Sequence, residues 1–377
     1  MQTVELAVAA EELGDDGAFV RTHRFAPQLA SPFPLLAAIA ARTRRIELGT
    51  GVIDMRWHIG FMTLEPLPQV QQYICLSVCT DIISVMRILI VGQGPVATVL
   101  ATSFEPHVQL ALAVREPEGE YRTVQSRRVR AGSRGITSRR VELMSLPSVP
   151  MGWDAVVSTA APDAPGMRDL LTRVDAGVVM AVSQVPSEVA VLAKLAGERP
   201  WGIVVPGFLA WGTGPVSYWR TGSLFTVAGS ASPILRGTFD RALPEASVAI
   251  ALLQAATTMP IVAGLHSVGY DLARAAPLSR RLARAADEAR SAVAADYDLP
   301  TPRRVLPAAV RAALWGFPRL APMNLTDYLS AHFGGHRMQT VRMLTDWITS
   351  GRSHGLATIE LEELRKQLGG EKWWSMH

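Results

Sequence analysis

The feature that most constrains the fold is a glycine-rich turn between a strand and a helix. The run Arg87–Val91 (RILIV) is typical of a buried strand, and an apolar helix is expected over 98–104. Between them lie Gly92, Gln93, Gly94, Pro95, Val96 and Ala97. A strand, a G-x-G-x-x-A turn and a helix in this order form the dinucleotide-binding fingerprint. The sequence therefore predicts a Rossmann-type α/β domain that begins near residue 86.

Each small residue of this turn has a physical role. Gly92 permits the tight turn, Gly94 lets the backbone approach a pyrophosphate, and Ala97 lets the helix pack closely on the strand. The first N–H groups of the helix would face the phosphates. We therefore interpret the whole turn, residues 92–97, as cofactor-binding.

The residue after the second predicted strand bears on which dinucleotide is bound. This strand, 108–114, ends at Arg115. NAD sites place an acid at about this point, whereas an arginine suits the 2′-phosphate of NADP(H) because its planar fork pairs with phosphate oxygens. Glu116 follows directly, so NAD(H) remains an alternative, although Arg115 favours NADP(H). Three nearby arginines either assist or are simply solvated: Arg122, Arg127 and Arg128.

Three further core strands are predicted at 154–159, 177–182 and 201–205. In an open parallel sheet, ligands bind outside the carboxyl ends of the strands. The polar or small residues at these ends are thus candidates to line the nicotinamide side of the site: Thr159, Ala160, Ser183 and Gln184. An equal alternative is that they only make the hydrogen bonds that are ordinary at strand ends. An Arg-rich stretch after the second strand suggests a small hairpin. A short antiparallel pair is expected at 217–219 and 224–227.

The rest of the chain is predicted to be helical. The expected helices are 239–258, 263–276, 278–295, 307–314, 325–332, 338–350 and 359–368, with helix ends expected at Gly316 and Gly351. The longest uncharged stretch, 246–265, contains Gln254 and Pro260, which favours a buried core helix over a membrane span.

Composition narrows the function class. Hydrophobic residues make up 49% and charged residues 19%, which excludes a wholly disordered chain. The net charge of +4 comes from scattered arginines and gives no sign of a nucleic-acid partner. The two cysteines, Cys75 and Cys79, indicate reduced thiols and no metal site. These features predict a cytoplasmic protein with no nucleic-acid or membrane partner.

Residues 1–56 read as a separate piece. Strands at 18–22 and 46–53, with a helix at 35–41 between them, imply parallel pairing. The segment AEELGDDGAFVRTHRFAPQLASPFPLLAAIAARTRRIELGTGVIDMR resembles the start of the bacterial luciferase-like flavin monooxygenases, which fold as a (β/α)8 barrel. In that family the segment around His23 often carries histidines near the flavin. A barrel needs roughly 250 residues, so we expect a truncated (β/α) barrel fragment that does no flavin chemistry.

The position of Met86 suggests an origin for the residues that precede the predicted dinucleotide-binding domain. Residues 57–85 are interpreted as a linker, and Met86 immediately precedes the predicted core strand. An upstream start codon or a gene fusion that appended residues 1–85 is therefore a hypothesis.

Residues 86–368 resemble the ketopantoate reductase (2-dehydropantoate 2-reductase) family. The resemblance is carried by MRILIVGQGPVATVLA, by Arg115, and by LTDYLSAHFGGHRMQTVRMLTDWITSGRSHGL near the end. It implies a Rossmann NADP-binding domain over 86–237, an all-α C-terminal domain over 238–370 that supports a homodimer, and NADPH-dependent reduction of a small 2-keto acid.

The catalytic pattern of that family is absent. The resemblance implies a lysine general acid and asparagines at the start of the helical domain, but residues 241–265 contain neither. The chain has three lysines, Lys194, Lys366 and Lys372, and one asparagine, Asn324. His332 and Gln184 are the candidates for the missing role, and His266 with Asp271 is a further pair.

Three functions follow from these observations. The leading hypothesis is an NADPH-dependent oxidoreductase acting on a small carbonyl. A non-catalytic NADP(H)-binding protein is the alternative, and a flavin monooxygenase is a minor third.

Overall fold

The chain forms two compact units, Met1–Ser84 and Val85–His377. The computed structural model describes residues 8, 17–21, 42, 47–52, 86–129, 135–212, 214–232 and 244–369. In the first unit, β1 (Gly17–Arg21) pairs in parallel with β2 (Glu47–Val52), as predicted. The helix expected at 35–41, the segment 57–85 with both cysteines, and His23 lie outside the described residues.

The α/β part of the second unit contains nine strands and three α-helices among its described residues. In chain order they are β3 (Arg87–Val91), α1 (Pro95–Ala101), β4 (Gln109–Val114), β5 (Tyr121–Arg128), β6 (Ile136–Ser145), β7 (Ala155–Ser158), α2 (Met167–Arg173), β8 (Val178–Ala181), α3 (Pro186–Ala196), β9 (Trp201–Trp211), β10 (Val216–Gly229) and β11 (Glu245–Ala246). The Arg-rich hairpin is formed by β5 and β6, which pair antiparallel.

The sheet closes on itself, whereas the sequence suggested an open one. Its order is β11-β10-β5-β6-β4-β3-β7-β8-β9, and β10 also pairs with β9, so eight strands form a ring. Closure comes from β10, which lies antiparallel to β9 and also parallel to β5, with Val216 opposite Ser126. The strands predicted around residues 88, 112, 156 and 180 pair in parallel with one another in this ring.

Closure was missed because β9 continues through Pro206 and Gly207. These residues suggested that the strand ends at Val205, but Pro206 pairs opposite Phe225 next to a register shift, where a missing N–H is tolerated. Gly207 is needed because the partner strand passes very close: a Cβ there would lie 2.0 Å from the Ser223 carbonyl oxygen. The predicted pair 217–219 and 224–227 is therefore wrong, since both segments belong to β10.

Helix α1 lies inside the ring. Its residues Ala97 to Ala101 are all buried, and it contacts β5, β9 and β10. Every strand of the ring contributes to the apolar cluster around it, including Ile90, Leu112 and Phe225. The opposite face of the parallel strands packs on α2, α3 and the helical layer through a second cluster. The sheet is thus covered on both faces.

The helical layer consists of seven α-helices among the described residues. They are α4 (Val248–Leu265), α5 (Leu272–Ala275), α6 (Ser279–Asp296), α7 (Pro307–Leu320), α8 (Leu325–Gly335), α9 (Arg337–Ser353) and α10 (Ile359–Gly369). Two expected helix ends are wrong. Helix α7 continues past Gly316, and α9 continues past Gly351, because a helix packed on neighbours tolerates a single glycine.

Helix α4 differs most from its prediction. It begins at Val248 and runs through Pro260 to Leu265, so it spans the boundary between the two helices expected at 239–258 and 263–276. Residues 239–243 lie outside the described residues. The segment Val248–Val268 is long and apolar enough to cross a membrane by length and composition, yet half of it is buried inside the protein. It packs against α6 and α10.

Candidate functional site

The fingerprint turn between β3 and α1 has the geometry that its glycines predict. Gly92 has φ +116°, a conformation that side chains other than glycine rarely adopt. A Cβ on Gly92 would lie 2.2 Å from the Thr159 Oγ1. The Gly92 N–H donates to the Ala113 carbonyl at 2.9 Å, which fixes the turn against β4. Glycine is therefore required at this position.

The outer part of the turn is open. Gln93, Gly94 and Pro95 are exposed. A Cβ on Gly94 would meet no atom within 4 Å, so the fold itself places no demand for glycine there. Gly94 is also the N-cap of α1 and has no side-chain cap. The turn thus leaves backbone free for a pyrophosphate, and these residues fit the dinucleotide that the fingerprint predicts.

Two arginines border this open turn. Arg115 directly follows β4 and is exposed. Arg122, on β5, donates from Nη1 to the Gln93 Oε1 at 3.4 Å. Arg127 instead donates to the Ser217 Oγ at 3.0 Å and so links β5 to β10. Arg122 therefore lies beside the fingerprint, where its assisting role stays a prediction, whereas Arg127 contacts the strand that closes the ring.

The strand-end residues after β7 stabilise the turn. Thr159 donates both its N–H and its Oγ1–H to the Val91 carbonyl, each at 2.9 Å. The Ser158 hydroxyl donates to the Ala160 carbonyl at 2.8 Å. Thr159 therefore stabilises the fingerprint turn, and its hydroxyl proton already has an acceptor.

The loop after β8 is tied to the helical layer. Gln184 donates from Nε2 to the Ala251 carbonyl on α4 at 2.8 Å. Ser183 is buried and donates to the Glu188 Oε2 at 2.7 Å, while its Oγ accepts from the Val185 N–H at 3.2 Å. The amide donor of Gln184 and the hydroxyl of Ser183 are thus committed to the protein itself.

Arg342 on α9 joins this loop to the loop after β7. Its Nη1 lies 2.6 Å from the Asp163 Oδ2 and 3.5 Å from the Glu188 Oε1, and its Nε donates to the Ser187 Oγ at 2.8 Å. One turn further along α9, Asp346 accepts from the Ser187 N–H at 2.9 Å. Sequence reasoning missed this network, because an acid such as Glu188 in the first turn of a helix is ordinary.

Burial perturbs the acid at the centre of this network. Glu188 is 3% exposed. Loss of solvation raises the pKa of its carboxyl, and the Ser183 hydrogen bond and the Arg342 charge only partly oppose this effect. The cation therefore does not fully offset the cost of burying the charge.

The predicted histidine candidates lie in other surroundings. The His332 ring on α8 stacks on Tyr328 at 5.5 Å and contacts Phe333 and His336, each at 4.8 Å. Loss of solvation, followed by the charge of His336, lowers the pKa of His332. Tyr328 in turn contacts Trp211 at the end of β9. These neighbours belong to α8 and β9, not to the loops that follow β3, β7 and β8.

The other pair divides into two separate roles. Asp271 caps α5 by accepting from the N–H groups of Ala273 and Arg274. His266 packs edge-on against Tyr270, and burial lowers its pKa.

The described lysines and the asparagine lie at helix ends. Lys194 lies in the last turn of α3, and Lys366 lies on α10. Asn324 caps α8. Among the described residues, no group of three or more His, Cys, Asp or Glu side chains could hold a metal ion.

The first residues match a known family model. The luciferase-like monooxygenase model matches residues 1–59. An uncharacterized protein, YwcH, from Bacillus subtilis (strain 168) is 41% identical over 66 residues, which are 17% of this chain and 20% of that protein. The chain thus spans about a fifth of the length of the curated relative it matches.

The rest of the chain is similar to solved structures. The 2-dehydropantoate 2-reductase from Methylococcus capsulatus superposes with a TM-score of 0.54 at 14% identity, over 77% of this chain and 99% of that one. The dimeric ketopantoate reductase from Staphylococcus aureus gives 0.52 at 14% identity, over 75% and 98%. A D-mandelate dehydrogenase with NADH gives 0.52 at 13% identity, over 76% and 98%.

These likenesses settle the architecture. They confirm the resemblances expected for both parts of the chain, and they agree with an α/β part followed by a helical layer. About three quarters of the chain therefore has the ketopantoate reductase fold, preceded by a short luciferase-like segment.

Proposed function

We propose that the unit Val85–His377 binds NADP(H) and acts as an oxidoreductase on a small 2-keto acid or related carbonyl. The single observation that carries the proposal is the fingerprint turn, in which Gly92 is required by the fold and Gly94 is left open. At the second glycine of this fingerprint, which the fold does not need, a ligand that approaches the backbone explains the residue. The bound cofactor would supply the hydride.

The choice of NADP(H) rests on charge. Arg115 and Arg122 border the turn, and arginine pairs well with a phosphate on the adenosine ribose. The structural likeness to D-mandelate dehydrogenase with NADH supports a nicotinamide cofactor in general. The 2′-phosphate preference is our inference from the two arginines.

Within this proposal the chain's own residues bind and orient. The turn 92–97 would hold the pyrophosphate, Arg115 the 2′-phosphate, and the loops after β7 and β8 would border the nicotinamide. We further propose a homodimer through the helical layer, which the dimeric Staphylococcus aureus enzyme supports as an analogy.

Gly94→Val is the sharpest test of this function. A side chain there would block the pyrophosphate, but a Cβ on Gly94 meets no atom within 4 Å beyond its chain neighbours, so the variant should fold normally. We expect NADPH to quench the tryptophan fluorescence of the wild-type protein in a titration. Gly94→Val should lose at least about 100-fold in affinity for NADPH, because the side chain excludes the charged pyrophosphate from its site.

A matched control separates binding from folding. Gly214, in the β9–β10 turn, is similarly open, because a Cβ placed on it would also meet no atom within 4 Å. Gly214→Val should therefore bind NADPH like the wild type. Wild-type protein that binds neither NADPH nor NADH would end the proposal.

The second candidate function is a non-catalytic NADP(H)-binding protein. It is favoured by the commitment of Gln184 and Ser183 to contacts within the protein and by the position of Lys194 and Lys366 on helices away from the fingerprint. A ketone reduction needs a proton donor at the developing alkoxide. NADPH binding without oxidation across a panel of 2-keto acids would select this candidate, and clear turnover would dismiss it.

A further inference from the structure

The loops that follow β7 and β8 share one anchor. Arg342 reaches Asp163 in the loop after β7 and Ser187 and Glu188 at the start of α3. Its guanidinium thus contacts both segments at once. A planar fork with several fixed donors can hold two segments at a set spacing, which a lysine cannot do as well.

The start of α3 is capped from the helical layer. The N-cap, Val185, supplies no side-chain hydrogen bond to the helix. The acceptor for the Ser187 N–H is Asp346, which lies on α9. An N-terminal N–H group capped from another part of the fold makes the position of this loop depend on that part.

The network is poorly explained as a device for stability alone. Glu188 is buried, and its pKa stays raised in spite of Arg342 and Ser183. Three carboxylates, those of Asp163, Glu188 and Asp346, belong to the network around this cation. The side chains of Arg342 and Asp163 are 33% and 35% exposed, so Glu188 is the buried charge that needs an explanation. Replacing a buried ion pair by apolar residues is often neutral or stabilising, so the burial of Glu188 beside Arg342 points to a role other than net stability.

We propose that Arg342 is a positioning residue, which holds the loops 159–163 and 183–187 at the spacing that the nicotinamide half of a bound dinucleotide requires. The inference rests on the function proposed above. It predicts that cofactor affinity depends on a residue of the helical layer that need not touch the cofactor.

The experiment compares Arg342→Met with a matched control, Arg281→Met. Arg281 also forms an ion pair with a glutamate, Glu360 at 3.0 Å, and its side chain is 27% exposed against 33% for Arg342. That pair lies within the helical layer, between α6 and α10. We expect both variants to lose thermal stability, and the Kd for NADPH to rise about tenfold in Arg342→Met alone.

Two further variants distinguish positioning from charge neutralisation. In Arg342→Met, adding Glu188→Gln removes the unpaired buried charge, so thermal stability should recover while the Kd for NADPH stays raised. Arg342→Lys keeps the charge but lacks the fork, so it should bind with intermediate affinity. Arg342→Lys also keeps the test decisive if the methionine variant fails to fold.

A readout without cofactor separates this inference from the proposed function. Amide hydrogen exchange in peptides covering 158–165 and 182–190 should be faster in Arg342→Met and unchanged in Arg281→Met. If wild-type protein binds no NADPH, the proposed function fails, and exchange alone decides whether Arg342 anchors the loops. The inference is overturned by unchanged exchange, by an unchanged Kd in Arg342→Met, or by recovery of affinity in the double variant.

Discussion

The loops that follow β3 and β8 lie on the same sheet but differ in how much of their polar surface is free. After β3, Gln93 and Gly94 are exposed, and a Cβ on Gly94 would meet no atom within 4 Å. After β8, Ser183 is buried against Glu188, and Gln184 donates to Ala251. The first loop is open to a ligand, whereas the second is held by the rest of the protein.

Under the proposed function, this difference separates recognition of the cofactor from the reaction. Backbone geometry suffices to bind a pyrophosphate, and that geometry is intact around Gly92. A reduction also needs a side chain that gives up a proton, and the Ser183 hydroxyl and the Gln184 Nε2 already donate to other groups of the protein. The cofactor end of the site is therefore better defined in this chain than its substrate end.

The largest expected effect comes from a substitution in the loop after β3. Gly92→Val places a Cβ within 2.2 Å of the Thr159 Oγ1 and forces a β-branched residue to φ +116°. Strain and overpacking together should cost roughly 3 kcal/mol of the free energy of unfolding, measured by urea denaturation. A variant as stable as the wild type would show that the turn does not have this shape.

Arg115→Ala sharpens the comparison on the cofactor side. If Arg115 holds the 2′-phosphate, the affinity for NADPH should fall by about 10- to 100-fold, because a hydrogen-bonded charge pair contributes roughly 1.5–3 kcal/mol. The affinity for NADH should not change. Both are measured by fluorescence titration.

The control for that variant is another exposed arginine. Arg140 stacks over the Tyr121 ring at 4.3 Å, so Arg140→Ala removes an equal charge without touching the turn. An equal loss of NADPH and NADH affinity in Arg115→Ala would contradict a phosphate-specific role.

The smallest expected effect concerns Glu188, next to the loop after β8, and the way it makes stability depend on pH. Because burial raises the pKa of Glu188, the stability that its protonated form contributes is present below the unfolded pKa of about 4.3 and is lost as pH rises through the folded value. Glu188→Gln should therefore raise the Tm relative to wild type at pH 8, by an equivalent of about 1 kcal/mol or less, and not at pH 4. A lower Tm for the variant at pH 8 would show that the ion network outweighs the cost of burial.

Much of the fold could be predicted because local patterns and global structure agree. Aliphatic runs such as 87–91 and 155–158 became buried parallel strands, and the predicted helix 278–295 matches α6 to within one residue at each end. Ring closure could not be predicted. Pro206 and Gly207 usually end strands, and the pairing of Val216 with Ser126 leaves no local signal in either segment.

The candidate site divides in the same way. The fingerprint positions follow from one strand–turn–helix unit, whereas Arg115 and Thr159 follow from their places directly after β4 and β7. The structure places the Thr159 side chain next to Gly92. Arg342 and Asp346 could not be found, because their partners lie more than 150 positions away in the chain. Which of these residues contact a cofactor stays a prediction.

The closed ring also has a consequence for how this chain folds. Ser217 and Arg127 meet where β10 joins β5, although they are 90 positions apart in sequence, so closure has to wait for a long loop to be ordered. Until β10 arrives, β5 presents an unpaired edge and one side of the apolar helix α1 is uncovered, a combination that favours aggregation. We therefore expect a slow final folding phase that reports on ring closure, and a yield on refolding that falls as protein concentration rises.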